Sequence, residues 1–307
     1  MSAEVMDSDA IRAEVQAADE ARADKGTPPE HVEFWVVRTL ALKELRDALR
    51  DRWLWLYAAS FALLATAISS LAVSNARNIG FSGFGRTASS LVALAQMVVP
   101  LMGLTIGARS VAGQRERGTL RFLLSHPINP TEVYLGIFVG NVLALLAAVS
   151  AGFGVAGLFA SLRGAAVDGP DLLLIAALAW LLAVSMIGMG MLVSAFATRS
   201  AAAMGLALVL WLAFVLLGNL GLMGTSIATS MGEGSLFLAA VANPVEAFRL
   251  SAMTVLSGSL DVLGPVGTYA VDRFGDRVGW VTGASLVLWT VIPAIAGGIA
   301  FRTRAER

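Results

Sequence analysis

The sequence predicts an all-α, polytopic membrane protein, and three observations carry that prediction. Of the 307 residues, 57% are hydrophobic and only 14% are charged, whereas soluble domains carry roughly 25% charged residues. Six apolar runs each reach the roughly twenty residues needed to cross a hydrocarbon core. The Lys and Arg residues fall mostly in the segments that alternate topology would put on one side.

Residues 1–31 form an acidic tail, with Glu4, Asp7, Asp9, Glu14, Asp19, Glu20 and Asp24 outnumbering the bases. Nothing in it would bury a core, and Gly26-Thr27-Pro28-Pro29 interrupts any helix. The tail is expected to be disordered or loosely helical. The first apolar run begins near Trp53, too late for a cleavable leader. The chain is therefore expected to start in the cytoplasm and to insert through its own first helix.

Residues 32–307 are read as one membrane domain. From Val32 to Arg52 the pattern has a helical period, with Phe34, Val37, Ala41, Leu45, Ala48 and Leu49 on one face and Lys43, Arg46 and Arg50 opposite. Such a helix is suited to lie in the membrane interface. The spans follow at about 53–73, 88–108, 133–160, 172–196, 201–223 and 279–301. Asn75–Arg86, Arg163–Asp171 and Thr198–Ser200 read as short connections. With the N-terminus inside, the inner segments hold Lys43, Arg46, Arg50, Arg52, Arg109, Arg115, Arg117, Arg121, Arg199, Arg302, Arg304 and Arg307. That bias puts both ends in the cytoplasm. Between the fifth and sixth spans, Leu236–Ala242 and Val245–Leu256 are apolar and helical in period, punctuated by Asn243-Pro244 and Gly264-Pro265. Two or three short helices capping the outer face are expected there.

Several kinds of chemistry are missing. Without cysteine there is no disulfide or thiolate site. No G-x-x-x-x-G-K-[ST] string occurs, so the chain has no P-loop of its own. The two histidines, His31 and His126, have no partner at ligand spacing, so no metal site is expected. Gly80-Phe81-Ser82-Gly83 matches a string found in intramembrane serine proteases, but it falls in an outer loop while both histidines lie on the cytoplasmic side, so the activating partner is missing. No ionisable residue falls mid-span, which argues against ion coupling. Asn141, Asn219 and Gln96 are expected to make interhelical hydrogen bonds. The methionines of the spans, Met102 and Met186 among them, are taken as apolar filler. Gly103-x-x-x-Gly107, Gly136-x-x-x-Gly140 and Gly279-x-x-x-Gly283 predict close helix packing, within the bundle or between two copies.

The most informative stretch is Arg109–Pro130. The charged cluster Arg115, Glu116 and Arg117 meets a Gly118-Thr119 break, then a short amphipathic turn from Leu120 to Leu124 closed by Pro127 and Pro130. Leu120, Phe122, Leu123 and Leu124 together exceed what a solvated connector needs, and they suit docking in a partner's groove.

Arg115-Glu116-Arg117-Gly118-Thr119-Leu120, Leu123-Leu124-Ser125-His126-Pro127-Ile128 and Thr131-Glu132 resemble the coupling region of type-2 ABC exporter permeases. The resemblance implies a permease subunit that is not itself an enzyme, with ATP and Mg held by a separate ABC ATPase. Arg115, Glu116, Arg117, Gly118, Thr119, Leu120, Leu123 and Leu124 would then couple to that ATPase. Asn243-Pro244-Val245-Glu246-Ala247-Phe248-Arg249 and Ser257–Pro265 resemble the NosY-type permeases, which act in maturation of the copper–sulfur site of nitrous oxide reductase. That narrower resemblance implies an inner-membrane homodimer and a periplasmic accessory protein, contacted through Asn243, Pro244, Glu246, Arg249 and Asp261. A type-2 permease exporting a lipid, drug or glycan is the alternative. No nucleic acid partner is expected.

Overall fold

The computed structural model describes residues 32–79, 83–125, 128–162, 169–223, 233–257 and 265–305. The acidic tail, His31, the Gly80–Ser82 part of the protease-like string, His126-Pro127 and Asp261 lie outside the described residues. Helix accounts for nearly all of the rest, and no strand occurs among the described residues. In chain order the helices are α1 (Phe34–Arg50), α2 (Arg52–Ile79), α3 (Gly83–Glu116), α4 (Thr119–Leu124), α5 (Pro130–Leu162), α6 (Gly169–Phe196), α7 (Ser200–Met223), α8 (Glu233–Val241), α9 (Pro244–Ser257), α10 (Pro265–Phe274) and α11 (Val278–Ala305).

Five of these, α3, α5, α6, α7 and α11, contain segments long and apolar enough to cross a membrane. Helix α2, with 28 residues, extends for roughly 42 Å at about 1.5 Å per residue and so also has the length to span. α8 and α9 meet at 103°, forming a bent pair between the last two long helices. The helices overrun the predicted spans: α2 runs to Ile79, α3 starts at Gly83, and α3 continues past Ala108 to Glu116. Polar residues end an apolar run, but they do not end a helix whose backbone groups remain paired beyond the hydrocarbon.

The centre of the bundle is the seam between α3 and α6, with α11 packed on α6, α7 on α3, and α1 and α2 on α5. Glycine makes the seam possible. A Cβ at Gly103 would lie 2.7 Å from the Met186 Cβ, and one at Gly190 would strike the Leu104 carbonyl. Ser194 ties the two backbones: its hydroxyl donates to the Ala108 carbonyl at 2.6 Å and accepts from the Ala112 N–H at 2.8 Å. Met102, Met186 and Met191 are buried in this core.

The second small-residue pair seats α1. A side chain at Gly136 would collide with Leu40, and one at Gly140 with Glu44 and the Ala41 carbonyl. α1 therefore rests on α5 through much of its predicted lipid-facing stripe, and its exposed apolar residues include Phe34, Trp35, Leu42 and Leu49. Close backbone approach explains this difference: the glycines offer α1 a groove of protein in place of lipid. The third pair is used differently. Gly283 has nothing within 4 Å of a Cβ built on it.

Candidate functional site

Two clusters of polar residues occupy opposite halves of the α3–α7 unit. The first lies where α3 ends. Gly118 adopts a left-handed conformation (φ 76°) at the turn between α3 and α4, a conformation that side-chain-bearing residues adopt only with steric strain. Two of the charges before it, Arg115 and Glu116, are turned back on the protein. Arg115 donates to the Ala197 carbonyl and, at 3.5 Å, to that of Ala195. Arg304, near the end of α11, donates to the Phe196 carbonyl at 2.8 Å and lies over the Phe196 ring. Both guanidiniums thus cap the C-terminal end of α6, where unpaired carbonyls and the helix dipole favour cations.

Glu116 performs the opposite task one residue later. Its carboxylate accepts from the Ser200 hydroxyl and, at 3.2 Å, from the Ser200 backbone N–H, at the start of α7. An anion is favoured at that helix end for the same reason. Arg115 and Glu116 together therefore clamp the short turn between α6 and α7. This clamp was not apparent in the string itself, because the helix ends it grips lie more than eighty residues away.

The remaining coupling residues divide by exposure. Arg117 and Gly118 are exposed, Thr119, Leu123 and Leu124 half-buried, and Leu120 buried. Phe122, in contrast, is 66% exposed. At about 100° per residue it lies on the far side of α4 from Leu120. The outward apolar knob of α4 is thus Phe122, which the leucine run had obscured. Thr131-Glu132 also has a local purpose. The buried Glu132 accepts from the Asn129 N–H at 3.1 Å and from the Glu33 N–H, joining the start of α5 to the start of α1.

α1 is tied to the same region. Gln114 donates to Glu44 at 2.9 Å, Glu44 accepts from Lys43 at 2.7 Å, and Arg109 pairs with Asp51 between α1 and α2. Burial disfavours the Lys43 ammonium, but Glu44 and Asp47 more than offset it and hold the group above its ordinary range. Asn141 donates to its own helix, at Ile137, and bridges to no other helix among the described residues.

The second cluster is built by α9. Asn243 is its N-cap: the side-chain oxygen accepts from the Val245 N–H at 3.0 Å, and Pro244 takes the first helical position. The Asn243 amide donates onward to the Phe214 carbonyl of α7 at 2.8 Å. Glu246 is 7% exposed and accepts from Gln96 of α3 at 2.9 Å. Arg249, 15% exposed at its side chain, stands 3.5 Å from the other carboxylate oxygen. Gly218 of α7 makes the space: a Cβ there would run into Glu246.

Asn243, Pro244 and Glu246 are therefore inside the protein, with Arg249 half-buried beside them. They latch α9 to α3 and α7 and do not present a surface to a partner in this conformation. The structure also brings an acidic residue against Gln96, part way along a membrane-length helix. The spans alone do not show it, because Glu246 belongs to the segment between them.

Residues 38–305 match the family model described as ABC-2 family transporter protein. A protein of Stutzerimonas stutzeri called "Probable ABC transporter permease protein NosY" is 32% identical over 283 residues, covering 87% of this chain and 98% of that protein. Its namesake from Pseudomonas aeruginosa is 34% identical over 222 residues, covering 70% and 80% respectively. The family match spans all the described long helices, the α4 turn and the α8–α10 segment, and the chain belongs to the ABC-2 family of transporter proteins as a multi-pass ABC transporter permease.

Proposed function

We propose that this permease works as a homodimer in the inner membrane, both termini cytoplasmic, in maturation of the copper–sulfur site of nitrous oxide reductase. A separate ABC ATPase binds ATP and Mg and docks on α4. A periplasmic accessory protein binds at the α8–α10 end. The orientation rests on the Lys and Arg bias of the connecting segments. The maturation role rests on the likeness to the two NosY proteins.

One observation carries the mechanism. α3 is a single helix from the contact between Gln96 and Glu246 to the Arg115–Glu116 clamp. α7 begins at that clamp and packs against the same Glu246 at Gly218, in its last two turns. Movement of α4 by the ATPase thus reaches α9 through two packed helices. Rigid elements with two arrangements are how such coupling travels. In this reading Phe122, Leu123 and Arg117 meet the ATPase, with Gly118 and Thr119 setting the turn and Leu120 and Leu124 anchoring it. Asn243, Pro244, Glu246 and Arg249 position the outer hairpin, whose exposed flank includes Leu238, Asp272 and Arg273. The homodimer uses the α11 face around Gly283, which carries the exposed Trp280, Val287 and Leu288.

The test is purification of the tagged chain from its own membranes, followed by mass spectrometry. A P-loop ATPase is expected in equal amount, together with a periplasmic partner. The variant Arg117→Glu with Leu123→Asp should lower recovery of the ATPase about tenfold or more, since buried anchors dominate interfaces; Phe122→Asp should do the same alone. Undiminished assembly in both variants would sink the docking assignment. Normal nitrous oxide reductase maturation in a strain lacking the gene would favour export of a lipid, drug or glycan.

A further inference from the structure

We propose that the pocket behind α4 is an anion site that takes the phosphate of an anionic phospholipid headgroup. The pocket has a volume of about 460 Å³, within the roughly 300–1,000 Å³ of small-molecule sites. Arg115, Arg121 and Arg304 supply its charge, and Leu120, Leu124 and Phe301 its apolar wall. Among the described residues no carboxylate lines it, and none of the three arginines forms an ion pair.

The charge is in surplus. Arg115 and Arg304 both donate to the Ala195 carbonyl, each at 3.5 Å, so two guanidiniums stand side by side on one oxygen. The C-terminal end of a helix offers roughly half a negative charge, which leaves two full cations, and Arg121 beside them, poorly balanced. Each guanidinium carries five N–H donors in a fork that matches phosphate oxygens. A phosphate would neutralise the pair through charge-assisted hydrogen bonds.

Place and shape favour a lipid as the source. The pocket lies at the end of α11, a helix long and apolar enough to span, whose final turns carry Arg302 and Arg304. Basic pockets between helices at a membrane surface are suited to phospholipid headgroups. Leu120, Leu124 and Phe301 give the first carbons of such a molecule an apolar wall. Phe122 lies on the opposite side of α4, so occupation of the pocket leaves the docking face open. The site belongs to this chain alone and stands whether or not the ATPase assignment holds.

The experiment uses the full chain in detergent, titrated with phosphatidylglycerol, phosphatidylcholine or inorganic phosphate and followed by native mass spectrometry. Phosphatidylglycerol should bind more tightly than phosphatidylcholine. Arg121→Gln and Arg304→Gln should each weaken that binding about fivefold, as expected for one surface arginine. Arg121 makes no cap, so its variant reads the site even if Arg304→Gln loosens the fold. If inorganic phosphate alone binds with the same dependence on these arginines, the anion site holds and its ligand is free phosphate. Equal binding of the two lipids, or a phosphatidylglycerol preference that survives both substitutions, would overturn the proposal. So would cross-linking of Arg121 to a carboxylate of a co-purified ATPase, because the cluster would then be a protein interface.

Discussion

At the turn before α4, Arg115, Arg304 and Glu116 grip the ends of helices; at the start of α9, charged side chains grip one another. Arg115, Arg304 and Glu116 are directed at backbone carbonyls and at the first N–H of α7. Glu116 is exposed, so its contact works against water and salt. Glu246, Gln96 and Arg249 form a cluster enclosed by α3, α7 and α9, with Gly218 leaving room for the carboxylate. A buried charge left without its partner is expensive, so the second arrangement is held or lost as a whole. The first can loosen by degrees. Such a pair would suit the proposed mechanism, in which a push at one end becomes a defined change at the other.

The largest expected effect is therefore at the α9 end. Arg249→Leu leaves the Glu246 carboxylate buried with only the Gln96 amide. It should destabilise the chain by about 3 kcal/mol, the low end for breaking a buried ion pair. Unfolding in detergent by denaturant would measure it. The sharper reading comes from adding Glu246→Gln to that variant. Removing both charges should recover much of the loss, because a neutral pair carries no desolvation penalty. If the double variant is as unstable as Arg249→Leu, the arginine acts through packing and the latch is not electrostatic.

A smaller effect is expected one turn earlier. Asn243→Ala removes the N-cap of α9 and its bond to Phe214, and should cost about 1–2 kcal/mol. Asn243→Asp should keep the cap but lose the donor to Phe214. Its stability should fall between the parent and the alanine variant. Equal stability of the aspartate variant and the parent would show that the cap, not the tie to α7, secures the hairpin.

How much of this could be read from the residues alone follows the same division. The long helices were legible because apolar length is a local property, and the small-residue pairs announced close packing for the same reason. Their partners were not legible: nothing in Gly136-Ile137-Phe138-Val139-Gly140 says that α1 will be the neighbour. Arg115 and Glu116 stood out as charges, but their roles depend on Ala197 and Ser200, brought beside them by the fold. α4 has six residues, too few for periodicity to separate the buried Leu120 from the exposed Phe122. The Asn243-Pro244 pair announced a helix start. Its role in holding a hairpin to α7 depends on Phe214, twenty-nine residues away. Gln96 was expected to bond across helices, and it does, to a glutamate that belonged to no predicted span.

The smallest expected effect tests the other half of the comparison. Arg115→Gln keeps the length and some donor capacity of the side chain while removing its charge from the end of α6. The loss should be about 0.5 kcal/mol or less at low salt, because Arg304 beside it offsets part of what a cation gains at a helix C-terminus. The discriminating measurement is its salt dependence. A surface interaction is largely screened at about 1 M salt, where the Debye length is about 3 Å, so the difference between Arg115→Gln and the parent should shrink towards zero. The destabilisation by Arg249→Leu should change little over the same range, because the buried pair is shielded from mobile ions. If both respond equally to salt, the two ends are held by the same kind of interaction, and the contrast between a yielding clamp and a rigid latch fails. If only the Arg115 difference fades, the clamp is the adjustable joint. In the proposed mechanism the ATPase would then act on a turn that can give way without unfolding the bundle behind it.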